Sequence, residues 1–158
     1  MLRIIYFSAF VLVLAAWGMT NNGSGSVIKD ALPPQEQEVE DGGFLDRIWN
    51  AKDVYAEFSD LEVFAELTYA GDEESIDIYH AESAFHFPFV ERTREFEVGY
   101  AMNDPLLTTT LLKDEPHRQK YSFAGGYSDE DTEEFQQFVQ TIIEKGFPEG
   151  EYIINGSA

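Results

Sequence analysis

Apolar residues change their spacing several times along this chain, and each change predicts a different element. Ile4 to Trp17 is apolar at every position except Ser8, behind the short basic start Met1-Leu2-Arg3. A helix satisfies all its own backbone groups in hydrocarbon, so such a run suits a membrane. Leu2 to Met19 reaches the lower end of the roughly 20 residues that a span takes. The same run suits a secretory leader, with an apolar stretch of about 7–15 residues and the small residues Ala16 and Gly18 around Trp17. Trp17 equally suits an interfacial anchor. Residues 1–19 are therefore expected to be a signal peptide or a transmembrane anchor. Arg3 is the sole cationic side chain before Lys29, so the positive-inside bias predicts export of the downstream chain, to the periplasmic or extracellular side.

From Thr20 to Gly43 the apolar positions thin out. Asn21 to Ser26 reads as coil, Pro33-Pro34 continues no helix, and Gln35 to Asp41 has Val39 as its one apolar residue. Such a stretch buries too little surface to offset its ordering entropy, which predicts a flexible acidic linker over 20–43.

Folded sequence is expected over 44–158. Phe44, Ile48, Ala51, Tyr55 and Phe58 recur at spacings of four and three, which predicts a helix, while Val54 to Phe58 could also open a strand. The period then falls to two. Leu61, Val63, Ala65, Leu67 and Tyr69 alternate with Glu62, Phe64, Glu66 and Thr68, a half-buried strand. Further short runs come over 75–80, at Phe85, Phe87 and Phe89, at Phe96, Val98 and Tyr100, over 106–112, and at Tyr121 and Phe123. Short connections favour antiparallel neighbours.

The last helix is the best signalled. Phe135, Phe138, Val139, Ile142 and Ile143 form an apolar stripe. Ser128 is the expected cap, with Asp129 to Asp131 near the positive end of the helix dipole. Lys145, Gly146 and Pro148 mark the stop. Tyr152-Ile153-Ile154 reads as a terminal strand. The fold class is thus α+β: a single small domain with an antiparallel sheet of about six strands against a C-terminal helix, behind the hydrophobic segment and the linker.

Composition narrows the function. The chain carries 30 Asp+Glu against 10 Lys+Arg, a formal net charge of −20, and no Cys. A phosphate backbone would be repelled, so a nucleic-acid partner is not expected. Disulfides, thiolate zinc sites and thiol nucleophiles are excluded outright. Glycine-rich phosphate loops, nucleophile elbows and His-Glu-x-x-His are absent from the sequence. No cofactor is expected, and the reading is non-enzymatic.

The rival expectation is a metal-dependent enzyme or metal-binding protein that uses His80, Glu82 and His86. An unbroken strand would place all three on one face, with His117 to complete a site for zinc or another first-row metal. A turn at Ala81-Glu82-Ser83 would instead separate the two imidazoles. The acidic runs 72–77 and 129–134 lack the twelve-residue calcium-loop pattern. Thirteen Phe and eight Tyr allow an apolar-ligand pocket, or simply an aromatic core. The acidity itself predicts either solubility in a salty habitat or electrostatic capture of a cationic protein or membrane-complex subunit. Contact with a membrane would run through residues 1–19 if they are uncleaved.

Overall fold

The computed structural model describes residues 12–17, 36–52 and 54–158. The strands are β1 (Leu12–Trp17), β2 (Glu36–Asp41), β3 (Phe44–Asn50), β4 (Val54–Ala56), β5 (Val63–Tyr69) and β6 (Ser75–His80). They continue with β7 (Phe89–Glu91), β8 (Phe96–Val98), β9 (Leu107–Leu112) and β10 (Pro116–Lys120); then come α1 (Glu133–Lys145) and β11 (Gly150–Ile154). The domain is small, mostly antiparallel, and carries its helix near the C-terminus, in keeping with α+β.

Three sheets form. One has the order β4-β1-β11-β7-β8, a second β10-β5-β3-β2, and the third is the two-stranded ribbon β6-β9. The pairing of β1 with β4 is parallel, while the other pairings between these strands are antiparallel. The sheets share one core. Phe44, Ile48, Val63, Ala65 and Leu67 enter it from the four-stranded sheet, and Phe89, Tyr152 and Ile154 from the five-stranded one. Phe147 ties these together, with its ring 5.1 Å from that of Tyr152, 5.4 Å from Phe89 and 6.0 Å from Tyr121. Burial pushes the hydroxyls of Tyr121 and Tyr152 well above the usual tyrosine range.

Several expectations change at the level of elements. Residues 44–50 form a strand, not the first part of a helix. Their buried positions are Phe44, Asp46, Ile48 and Asn50, which is a period of two, while Ala51 and Phe58 of the expected helical face are exposed. Residues 116–120 form a further strand, β10, along β5, and the expected strand at Tyr121 and Phe123 is replaced by buried or half-buried coil. Within the expected linker, Glu36–Asp41 pairs with β3 along its whole length. Leu12–Trp17, the latter part of the apolar run, lies as a strand between β4 and β11. The remaining parts of both segments, 1–11 and 18–35, lie outside the described residues. No helix among the described residues is long and apolar enough to cross a membrane.

The terminal helix forms where expected, but Thr132 caps it rather than Ser128. The Thr132 Oγ1 accepts from the Phe135 N–H at 3.3 Å, and Glu133 and Glu134 occupy the first turn. Ser128 belongs to the preceding turn, where its N–H donates to the Asp131 carboxylate at 2.6 Å. Gly146 ends the helix at φ 105°, a conformation that favours glycine, and its N–H donates to the Ile142 carbonyl at 3.0 Å. Phe138 then docks the helix against Phe96 at 5.2 Å.

Candidate functional site

His80 ends β6, and a bend at Ala81 and Glu82 turns the chain before the extended run through Phe85 to Phe89. That bend gives the three candidate ligands separate partners. The ring of His80 bonds the Ala81 carbonyl through Nδ1 at 2.7 Å and the Thr109 hydroxyl through Nε2 at 2.8 Å. Since a carbonyl only accepts, Nδ1 carries a proton, and Nε2 pairs with a hydroxyl that can either donate or accept. Glu82 accepts from the backbone N–H of Asn103 at 3.2 Å and from its side-chain amide at 2.9 Å. His86 exchanges both backbone bonds with Ser157, at 2.8 and 3.0 Å, and its exposed ring meets Tyr100 edge-on. His117 stacks on Phe85 with ring centres 5.7 Å apart. Burial and then the nearby His80 hold its pKa below the usual histidine value. Among the described residues, no group of three or more His, Asp and Glu is arranged to hold a metal ion.

The aromatic residues pack ring against ring, and a cleft of about 270 Å³ opens at the surface beside the helix C-terminus. Phe58, Leu61, Phe123 and Phe147 line it together with Asp60 and Ser122. It falls below the roughly 300–1,000 Å³ of small-molecule pockets.

A different feature is hidden from sequence reading. The ribbon β6–β9 turns Ile76, Ile78 and Leu111 toward the core and leaves its other face in solvent. On that face Tyr79 is 67% exposed and Leu112 48%, and Leu106, just before β9, is 81% exposed. Thr108 and Thr110 lie between them, and the Thr110 hydroxyl donates to the Asp77 carboxylate at 2.6 Å. The chain reverses at the end of the ribbon through exposed Asp72, Glu73 and Glu74. Asp114 and Glu115 lie at the same end, because the Lys113 N–H donates to the Glu74 carbonyl and the Asp114 N–H to the Tyr69 carbonyl.

Elsewhere cations meet carboxylates. Arg47 pairs with Glu36 at 2.7 Å, Arg118 with Glu66 at 2.5 Å, Lys52 with Glu62 at 2.6 Å and Arg92 with Glu151 at 2.9 Å. Among the described residues, no ion pair engages Asp72, Glu73, Glu74 or Asp77. The negative field beside the exposed apolar face is therefore not neutralised by ion pairing. The sequence signal is present in Tyr79, Leu106 and Leu112, but a strand pattern alone does not say which face lacks a cover. Comparison with known proteins finds no family model, no curated protein and no solved structure that matches this chain.

Proposed function

We propose that this is an exported, non-enzymatic binding or accessory domain that recognises a cationic protein or membrane-complex subunit through the outer face of the β6–β9 ribbon. The observation that carries the reading is the conjunction at one ribbon of uncovered Tyr79, Leu106 and Leu112 with Asp72, Glu73, Glu74 and Asp77, which no ion pair engages among the described residues. Exposed apolar patches rimmed by polar groups mark interaction surfaces. The carboxylates steer a basic partner to the face, and the aromatic and leucine side chains hold it by burial. Export rests on the apolar run behind Arg3, and the fate of residues 1–19 decides both anchoring and whether β1 keeps its place between β4 and β11.

A photo-crosslinking residue placed at Tyr79 in the native host tests the docking face, with one at exposed Lys145 as the control. The expected outcome is a discrete adduct from position 79 to a basic protein, lost at high salt. Adducts of equal yield from both positions would show that the ribbon face has no special role. Intact mass and membrane fractionation of the same samples decide between anchored and released forms.

A further inference from the structure

The ribbon has an edge as well as a face. The Lys113 N–H donates to the Glu74 carbonyl at 3.0 Å, and Glu74 lies opposite Lys113 in the β6–β9 register. Hydrogen-bonded and non-hydrogen-bonded pairs alternate along an antiparallel ladder. Ile76–Leu111, Ile78–Thr109 and His80–Leu107 are then the hydrogen-bonded pairs, with their N–H and C=O groups turned toward β9. Ser75, Asp77 and Tyr79 turn theirs the opposite way. No strand pairs with that side of β6 among the described residues. The result is a row of backbone donors and acceptors beside the exposed side chains of the same three residues.

An edge of this kind is a template for another strand. We infer that the outer edge of β6 accepts an extended, basic segment of the partner by strand addition, so that Ser75, Asp77 and Tyr79 supply the main-chain bonds. Charge complementarity selects the occupant. A side chain directly opposite Asp77 on an added strand would lie about 4.5–5.5 Å from it at the Cβ atoms, where an opposite charge stabilises and a like charge repels. The carboxylates of Asp72, Glu73 and Glu74 extend the same preference past the end of the strand. The opposing residue alternates with ones facing the ribbon's inner side, so the segment that fits alternates basic and small or apolar positions. This inference rests on the ribbon reading above and specifies its recognition mode.

The probe is a synthetic peptide alternating Lys and Val, about eight residues long, titrated into the full chain at low salt, with a Glu–Val peptide as control. Amide hydrogen exchange reads the edge directly. Binding should slow exchange at Ser75, Asp77 and Tyr79 and leave Ile76 and Ile78, already bonded to β9, unchanged. Asp77→Pro removes the central outward N–H while sparing the β9 ladder, a placement that edge strands tolerate, and should weaken binding about tenfold or more. Asp77→Asn keeps the N–H and should weaken it by a smaller factor that vanishes as salt rises. Binding without new protection at these three amides, or undiminished in Asp77→Pro, would overturn strand addition and leave the face as the docking surface. Failure of the Lys–Val peptide to bind at all would overturn both readings.

Discussion

Asp46 sits at the middle of β3 with its side chain directed into the core, 2% exposed. Burial pushes its carboxyl up to about 6, against the opposing effect of the backbone N–H groups of Ala158 and Arg47, which favour the ionised form. A carboxyl raised in the folded state favours folding when protonated, so its contribution is fully present below pH 4 and is lost as pH rises through about 6. Two pH units correspond to about 3 kcal/mol. Asp46→Asn keeps an acceptor for the Ala158 N–H, which donates at 3.2 Å, and removes the buried charge. Its Tm should exceed that of the parent at pH 8 and match it at pH 4, measured by thermal melts across that range. His117 acts with the opposite sign, since a lowered histidine pKa withdraws stability as pH falls through about 6.5. The difference between parent and variant cancels it. A variant less stable at pH 8 would mean that the charged carboxylate is needed for its backbone bonds.

Elements are legible where their buried positions are apolar. The stripe Phe135, Phe138, Val139 and Ile142 marks the helix, and Val63, Ala65, Leu67 and Tyr69 mark β5. The strand β3 reads as a helix because two of its four buried positions are Asp46 and Asn50, which hides the period of two in hydrophobicity. In β10 the inward positions are His117 and Gln119, so no apolar alternation exists to be read, and β5 supplies the register. The bend at Ala81 and Glu82 decides the fate of His80, Glu82 and His86, and the sequence allows both outcomes. Capping shows the same limit on a finer scale, since Ser128 and Thr132 are both competent and the chain uses the second. Thr132→Ala should therefore lower stability by about 1 kcal/mol, as loss of an N-cap does. Ser128→Ala should cost less, because the Ser128 N–H still reaches Asp131. Equal losses in urea melts would show that the turn before α1 matters as much as its cap.

At the scale of the whole molecule, 30 acidic residues face 10 basic ones, and the ion pairs of Arg47, Lys52 and Arg92 are mostly solvent-exposed. Such pairs stabilise by about 0–1 kcal/mol each and weaken in salt, whereas net repulsion destabilises the compact state and is relieved by salt. The second effect should win. Tm is expected to rise by a few degrees between low salt and about 0.15 M, where the Debye length falls to about 8 Å, and a fall would assign more weight to the ion pairs. The strand order of the five-stranded sheet adds a constraint in time. Leu12 pairs with Ile154, so β1 cannot meet β11 until the chain has been made as far as Ile154. At about 5–20 residues per second, roughly 140 residues of synthesis take about 7–30 s. For that interval β1 is without its partner β11, and β4, made much earlier, is the strand it can pair with. The five-stranded sheet therefore closes late, and slowing translation would lengthen that wait.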